Sequence, residues 1–440
     1  MIRFDACLTR LLNGVFEQRT LLRIRCLLIT SLLLSLGACA SYTPTSLQDW
    51  PDPARIQTQT ADGVTVSAGI LSDEEAERLY GVDLTTAGLQ AIWLRIENHS
   101  EHSCWLMVSG LDPNYFAPDE AAVLFYPVLA EENEIRLTQR VRDLAIPLKT
   151  DVGGVSEGYV LAPRHEGGRY LAVSMIGRQQ EMNFGFAITL PGGDFDFERL
   201  NPAAIYAGIE RPDLDLEQLR QELRALPCCA ADEDGQVAGD PLNLVLIGNA
   251  DDILASLSRA DWSFTQVINF DTVRRMIGAA ISGAAYPVAP VSPLYYMNRP
   301  QDLALQRARN TILQRNHMRL WLAPFRFQGK SVWVGQVSRD IAIKATLSSA
   351  SLTTHVIDPN IDEAREHLLQ SLLVAGAVTR FGFAGGVGSA SVVNPRTNLS
   401  SDPYFTDGLR LVVLLSGNTT TAPQAVGFID WQDSKDPHAK

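Results

Sequence analysis

The chain has 440 residues, of which 46% are hydrophobic and 20% charged, with a net charge of −13 at pH 7. That length allows two or three domains of roughly 150 residues each, and the composition is that of a globular protein rather than a disordered one. Residues 40–239 carry 14 Lys/Arg and 32 Asp/Glu, whereas residues 240–440 carry 18 and 16. We therefore expect two modules with different surfaces, and the acidic first half argues against nucleic-acid binding.

The first predicted element is a short apolar run at residues 26–36, which follows three arginines within residues 19–25. The run is too short to cross a membrane, which takes about 20 residues in a helix, but it fits the apolar section of a secretory signal. The sequence Leu-Gly-Ala-Cys at residues 36–39 resembles the bacterial lipoprotein box. The resemblance implies that residues 1–38 are a signal peptide and that Cys39 receives the lipid. A plain cleaved signal and an uncleaved short anchor are the alternatives.

The residue after this cysteine is Ala40 rather than Asp. In lipoproteins of this kind, that pattern implies sorting to the outer membrane, with the protein facing the periplasm. Acyl chains such as palmitate on the cysteine would anchor the protein, and the mature chain is not expected to span the membrane, because no later stretch of 18 apolar residues follows. Residues 39–60 contain three prolines and are predicted to form an extended tether.

Three cysteines follow the lipidation site: Cys104, Cys228 and Cys229. Disulfides persist in an oxidising periplasm, and an odd number leaves one thiol free, intermolecular or reduced. Two pairings stay open. Cys104 could join one of the adjacent pair, which would connect the first module to the segment after it, or Cys228 could pair with Cys229. No histidine lies near enough in sequence to complete a zinc site, so no metal or cofactor is predicted.

Residues 61–226 are predicted to form an acidic, β-rich domain. Short segments of alternating or β-favouring residues predict strands at 63–68, 90–98, 104–109, 156–161, 169–176 and 183–190. Helices are predicted at 73–80, at 118–143 in two pieces broken near Pro127, and at 214–226. This pattern favours an immunoglobulin-like β-sandwich with helical insertions. His99 and His102 lie in a polar turn cluster, and nothing in this half indicates catalysis.

An acidic, glycine-containing connector at residues 227–240 precedes a second module at 241–420, and residues 421–440 form a tail. Strands are predicted at 242–248, 302–309, 317–327, 331–337, 341–346 and 407–415. Helices are predicted at 250–260, at 271–282, and from Asp358, as the cap, to residue 375. The prolines of 286–293 predict an extended segment, and the glycines of 382–388 a loop. Interleaved helices and strands indicate a mixed α/β domain, and the whole chain is classed as multi-domain α+β.

Several stretches of the second half resemble the LssY C-terminal domain family, in the family's order. They are PLNLVLIG at 241–248, PVSPLY at 290–295, RPQDLALQR at 299–307, RNHMRLW at 315–321, VWVG at 332–335, SRD at 338–340, HVIDPNIDEAR at 355–365 and YFTDGLR at 404–410. The family is largely uncharacterised, although some members are fused to membrane phosphatases that act on lipid and isoprenoid phosphates. Those phosphatases have a Ser-Arg pair close ahead of a histidine. Here the histidine comes 17 residues after Ser338, so the resemblance does not extend to that activity.

Residues 299–344 contain nine Lys/Arg and only two acidic residues. On a strand, Arg315, His317 and Arg319 would share one face. With Arg339 nearby, these arginines are candidate anion-binding residues, because the planar guanidinium matches phosphate and carboxylate groups. The alternative is a solvated sheet face, or arginines that are already paired with acidic residues.

His317, Asp340, His355 and Asp358 are the candidate catalytic residues, because imidazoles and carboxylates carry acid–base chemistry when they converge. Their spacing is not that of a recognised motif, and Asp358 also has a structural role as a helix cap. Two functions are therefore expected. The first is a lipid-anchored periplasmic protein that binds an anionic ligand or an envelope partner. The second is an envelope hydrolase that acts on a phosphorylated lipid or glycan.

Overall fold

A computed structural model describes residues 42, 44–45, 52–112, 114–165, 168–178, 180–190, 200–265, 291–308, 315–345, 353–417, 419–429 and 431. The predicted signal peptide with Cys39, the predicted helix at 271–282 and most of the proline-rich segment at 286–293 lie outside these ranges. The described residues form a mixed α+β architecture that consists mostly of strands. Within these ranges, no helix is both long and apolar enough to span a bilayer.

The first half contains two four-stranded antiparallel sheets that share one hydrophobic core. Alternation along each strand places Val64 and Val66 on the inner face of one sheet, and Leu171 and Val173 on the inner face of the other. The strand orders are β1-β2-β3-β6 and β5-β4-β7-β8. The strands are β1 Gln57–Ala61, β2 Val64–Ile70, β3 Leu89–Asn98, β4 Cys104–Leu106, β5 Lys149–Thr150, β6 Val155–Pro163, β7 Gly168–Gly177 and β8 Gln180–Thr189.

Strand β1 was not predicted, because its sequence QTQTA has no apolar face. It lies at a sheet edge, where its polar side chains have a structural role. The amide nitrogens of Gln57 and Gln59 donate to the carbonyl oxygens of Ala187 and Gly185 on β8. These bonds link the edges of the two sheets.

The predicted helices of the first half are present. Helix α1 begins with a capping box in which Ser72 and Glu75 bond to each other's backbone N–H groups. The chain turns into a short helix after β4, so the predicted strand at 104–109 is shorter than expected. The helices are α1 Asp73–Tyr80, α2 Val108–Leu111, α3 Pro118–Val123, α4 Glu131–Leu144, α5 Pro202–Ile205 and α6 Leu216–Ala225, with single 3-10 turns at Pro53–Arg55, Leu84–Ala87 and Tyr126–Val128.

The second half is built on one large mixed sheet with the order β13-β16-β17-β18-β12-β23-β20-β24, to which β9 and β19 are added at β17 and β18. Smaller sheets have the orders β11-β10-β14-β15 and β21-β22. The strands are β9 Asp213–Leu214, β10 Cys229–Ala231, β11 Ala238–Pro241, β12 Leu244–Ile247, β13 Ser263–Phe264, β14 Tyr295–Tyr296, β15 Arg299–Pro300, β16 Leu303–Ala308, β17 Arg315–Phe327, β18 Lys330–Ala345, β19 Thr353–Ile357, β20 Val378–Gly385, β21 Arg396–Thr397, β22 Pro403–Tyr404, β23 Leu409–Leu415 and β24 Gly427–Phe428.

Helices cover both faces of this large sheet. On one face, Met318 and Leu320 pack with helices α7 Ala250–Arg259 and α8 Ile361–Val374. On the other face, Trp321 and Val334 pack with helix α6. A 3-10 turn at Pro423–Ala425 precedes the last strand. The candidate site described below belongs to the α6 face.

Two predictions in the second half were wrong. The glycine-rich stretch at 382–388, predicted as a loop, is mostly part of strand β20, where Phe381 and Phe383 pack against the core. Helix α8 is capped at Asn360 rather than at Asp358. The Asp358 carboxylate instead accepts a hydrogen bond from the backbone N–H of Asn360, just before the helix begins.

The two halves contact each other through helix α7. The guanidinium of Arg259, at the end of this helix, donates at 3.0 Å to the hydroxyl of Tyr170 on β7 and lies over its ring. Its second terminal nitrogen donates to the hydroxyl of Ser416 and the carbonyl of Gly417, which follow β23. One side chain therefore holds a strand of the first half and a turn of the second.

Candidate functional site

A cluster of polar side chains lies at one end of the α6 face of the large sheet. Trp321 on β17 and Val334 on β18 belong to the apolar part of this face. Beyond them, alternate positions of both strands become polar, yet each of these residues is at most 6% exposed. Gln306 lies beside them on β16, opposite His317. The polar cluster consists of Gln306, Arg315, His317, Arg319, Gln336, Ser338 and Asp340.

The centre of the polar cluster is a row of three side chains. Ser338 and His317 are opposite each other on antiparallel strands, and Asp340 lies two residues farther along β18 on the same face. The Ser338 Oγ is 2.9 Å from the His317 Nε2. The His317 Nδ1 is 3.2 Å from an Asp340 oxygen, although the ring N–H is not aligned for a hydrogen bond. Hydroxyl, imidazole and carboxylate in this order form the arrangement that activates a serine nucleophile.

Arg315 holds the carboxylate end of this row. Its Nε lies 3.3 Å from the second oxygen of Asp340, and its Nη1 donates to the side-chain oxygen of Gln306. Both charged groups of the Arg315–Asp340 pair are almost completely buried. Because the guanidinium occupies one carboxylate oxygen, the other oxygen is presented to His317.

Gln336 and Arg319 hold the hydroxyl end of the row. The Gln336 amide nitrogen donates to the Ser338 Oγ at 2.7 Å, and its amide oxygen accepts from the Arg319 Nη1 at 3.0 Å. The Arg319 Nε donates to the carbonyl of Ser292, and its Nη1 lies 3.9 Å from Asp240 on β11. Burial lowers the pKa of Arg319, and the charge of Asp240 opposes that shift.

Two residues, Asn243 before β12 and Gly335 on β18 itself, fix the backbone beneath the polar cluster. Asn243, which is fully buried before β12, bonds through its side chain to both the N–H and the carbonyl of Val337. Gly335 allows β18 to lie close to β17, because a Cβ there would come within 2.6 Å of the Leu320 side chain. The register of β18 at Ser338 is therefore set on both sides.

The four predicted catalytic residues do not share one face of the sheet. His317 and Asp340 are together in the polar cluster. Arg339 points to the opposite face, where it donates to Asn316 and lies 4.0 Å from Asp358. His355 pairs through its backbone with residue 343 on β18, and its side chain lies outside the described part of the structure. Asp358 is therefore separated from the Ser338 row by the sheet itself.

The arginines predicted to bind an anion already lie beside carboxylates. Arg315 and Arg319 do share one face, as the alternation predicted, but Arg315 faces Asp340 and Arg319 faces Asp240. Other basic residues of this region are paired too: Arg299 with Asp302, Arg307 with Asp261, and Lys330 with Asp252. The positive charge that stands out in the sequence is thus largely balanced in three dimensions.

Of the three cysteines, the structure joins Cys228 to its neighbour Cys229 and leaves Cys104 as a buried free thiol. Burial raises the pKa of the Cys104 thiol. The Cys229 sulfur lies 3.7 Å from the hydroxyl of Tyr404. Among the residues that the structure describes, no group of three or more His, Cys, Asp or Glu side chains could hold a metal ion.

Sequence reasoning missed four residues of this site. Ser338 was noted only as part of a Ser-Arg pair, and Gln306, Gln336 and Asp240 were not considered. A signal was present in the alternation of β18, where Gln336, Ser338 and Asp340 continue the apolar face of residues 332 and 334. Polar residues at buried positions of a strand need partners, and here they find one another.

Comparison with known families assigns the second half only. Residues 221–409 match the family model described as LssY C-terminus, and this span includes the whole polar cluster. No curated protein matches the chain. The family match confirms the resemblance seen in the sequence, and any activity has to be argued from the geometry.

Proposed function

We propose that this chain is a lipid-anchored envelope protein whose second half hydrolyses an ester, with Ser338 as nucleophile, His317 as general base and Asp340 as the group that orients the base. The observation that supports this proposal is the order of the three side chains. A hydroxyl lies 2.9 Å from an imidazole nitrogen, and the opposite ring nitrogen lies 3.2 Å from a carboxylate. These separations are within or near the hydrogen-bonding reach that proton transfer needs.

In the proposed reaction, the Ser338 Oγ attacks the ester carbonyl carbon while His317 Nε2 takes the hydroxyl proton. The resulting imidazolium faces Asp340, which stabilises its charge. His317 then returns the proton to the leaving alkoxide as the carbon–oxygen bond breaks, and an acyl group stays on Ser338. Water, deprotonated by the same imidazole, hydrolyses this intermediate and restores the free hydroxyl.

The charges of the site favour a carboxylic ester over a phosphate monoester as substrate. Two guanidiniums, of Arg315 and Arg319, lie beside two carboxylates, of Asp340 and Asp240. The site is therefore close to neutral and has no clear surplus of positive charge for a phosphate dianion. The chemistry fits an ester carried by an envelope lipid or glycan. The alternative function is an anion-binding module based on Arg315, Arg319 and Arg339. It is the weaker candidate because these arginines already lie beside carboxylates.

The direct test is covalent labelling of the full-length protein in detergent with a small phosphorylating reagent such as diisopropyl fluorophosphate. The Ser338 oxygen would displace fluoride, and mass spectrometry would find the adduct on the peptide that contains residue 338. We expect Ser338→Ala to abolish both the adduct and hydrolysis of p-nitrophenyl acetate. His317→Gln should reduce both by about 100-fold or more.

Ser331→Ala is the matched control, because Ser331 lies on the same strand far from His317 and pairs with Arg326 instead. It should keep full labelling. If the folded protein is not labelled at Ser338, the polar cluster has only a structural role and the proposed hydrolysis is wrong. Turnover of p-nitrophenyl phosphate alone, lost in Ser338→Ala, would instead show that the substrate is a phosphate ester.

The location of the protein is a separate part of the proposal and is based on the sequence around Cys39. We expect the mature protein to be held in the outer membrane, facing the periplasm, by acyl chains on this cysteine. Metabolic labelling with a palmitate analogue should label the protein and be lost in Cys39→Ser. Cys26→Ser, within the segment to be removed, is the control and should leave labelling intact. A soluble, unlabelled native protein would contradict the anchor.

The first half would serve as a support in this arrangement. Its two facing sheets are consistent with the immunoglobulin-like sandwich predicted from the sequence, and we propose that topology for it. Its acidic surface would keep it away from the anionic headgroups of a membrane. A solved structure whose strand connections differ from the immunoglobulin pattern would contradict this assignment.

A further inference from the structure

We infer that Gln336 is a positioning residue that directs the Ser338 hydroxyl proton towards His317, and that Arg319 fixes the orientation of Gln336. This inference concerns the direction of each hydrogen bond in the polar cluster, and its functional meaning rests on the proposed hydrolysis. The direction follows from the groups at the two ends of the row, both of which are guanidiniums. A guanidinium can only donate hydrogen bonds.

At the hydroxyl end, Arg319 donates to Gln336 at 3.0 Å. The atom that accepts must be the amide oxygen, because the amide nitrogen can only donate. The nitrogen of Gln336 therefore faces Ser338, 2.7 Å from its Oγ. The side chain cannot flip without placing an N–H group against the Arg319 N–H groups.

Ser338 then has one remaining direction for its own proton. Its oxygen already accepts from Gln336, and the next polar atom is the His317 Nε2 at 2.9 Å. A hydroxyl that donates to this nitrogen requires Nε2 to be unprotonated. The neutral ring must therefore carry its proton on Nδ1, which faces Asp340 at 3.2 Å.

The carboxylate end agrees with this direction independently. Asp340 accepts from Arg315 through one oxygen, and its other oxygen faces the His317 Nδ1. An ionised carboxylate can only accept, so a proton on Nδ1 is attracted to the negative oxygen, whereas a bare Nδ1 would bring two lone pairs together. The contacts at both ends of the row therefore favour the same tautomer of His317, with the proton on Nδ1. In this tautomer Nε2 is free to act as a base towards Ser338.

Gln336→Glu tests this inference, because it changes one donor into an acceptor at nearly constant shape. The introduced carboxylate would keep the pairing with Arg319 but could no longer donate to Ser338. The hydroxyl would then donate to this carboxylate, and the His317 Nε2 would have to carry a proton to satisfy the Ser338 oxygen. We expect labelling of Ser338 by diisopropyl fluorophosphate to fall by about 100-fold or more.

The decisive readout is the protonation of His317, measured by ¹⁵N NMR on the full chain labelled at histidine and assigned with His317→Gln. The unaltered protein should show a proton on Nδ1 and none on Nε2, and Gln336→Glu should show a protonated Nε2. The control is Gln306→Glu, the same substitution at the residue that accepts from Arg315 at the carboxylate end of the row, and it should leave Nε2 unprotonated.

An Nε2-protonated ring in the unaltered protein would overturn the inference without the need for any variant. An unprotonated Nε2 in folded Gln336→Glu would overturn it too. Failure of Ser338 to react in the unaltered protein would contradict the proposed hydrolysis. The inference about the hydrogen-bond directions would still be tested by the tautomer of His317 that NMR detects. The two ideas can therefore fail separately.

Discussion

Removal of either charge of the buried Arg315–Asp340 pair should destabilise the second half strongly, and removal of both should cost no more than removal of one. The two groups lie 3.3 Å apart and are 3% and 0% exposed. At an effective dielectric constant of ~20, that separation corresponds to an attraction of about 5 kcal/mol. Loss of one partner leaves a buried charge without the opposite charge facing it, which typically costs about 3–5 kcal/mol. We expect Asp340→Asn and Arg315→Met each to lower the free energy of unfolding by about 3 kcal/mol. The double variant should lower it by no more than that, so the coupling energy between the two residues should be about 3 kcal/mol.

Hydrogen exchange followed by mass spectrometry is the suitable assay, because it reports the opening free energy of β17 and β18 separately from the first half. The exposed pair Arg142–Asp119, 2.6 Å apart at the surface of the first half, is the control and should show a coupling energy of no more than about 1 kcal/mol. Costs that simply add in the Arg315→Met/Asp340→Asn variant would refute the reasoning, because the two groups would then not act as a pair.

Two further variants test how the backbone beneath the site is held. Asn243→Ala removes both side-chain bonds to the β18 backbone and should lower the free energy of unfolding in urea by about 2–4 kcal/mol. The control is Asn394→Ala, at an exposed position, which should have little effect. If both variants unfolded at the same urea concentration, the role of Asn243 would be contradicted. Gly335→Ala should cost about 1–3 kcal/mol, because the added Cβ meets the Leu320 side chain at 2.6 Å. The control is Gly385→Ala, because nothing lies within 4 Å of the Cβ added there. If Gly335→Ala were as stable as this control, β18 would be able to move away from Leu320 to make room for the added Cβ.

Much of the strand and helix content could be predicted from local patterns. The segments at 90–98 and 183–190 alternate or are rich in β-favouring residues, and both are strands, apart from the last residue of the second. Prediction failed where tertiary contacts override local preference. The polar β1 is a strand because Gln57 and Gln59 bond to a neighbouring sheet, and glycines in β20 are tolerated because Phe381 and Phe383 supply its packing.

The candidate site was only half visible in the sequence. The chemistry of His317 and Asp340 marks them as candidates, and the structure places both on one face of the sheet. Ser338 was overlooked because its role depends on which residue of β17 lies opposite it, and that register is a long-range property. For the same reason, Asp358 was grouped with His317 although the sheet separates them. A one-residue shift in the pairing of β18 would turn Ser338 to the face opposite His317.

If the proposed lipid on Cys39 holds the protein at one end, the contact made by Arg259 has a mechanical consequence. Tension applied along an N-terminal anchor would load the first half and pass to the second through the polypeptide and through the side chains that bridge them. Arg259 is one of these bridges, since it contacts Tyr170 on one side and the turn after β23 on the other. Strand β23 pairs directly with β12, which is next to β18 in the sheet. From the turn after β23, a force would reach the strand that carries Ser338 after crossing only two ladders of hydrogen bonds.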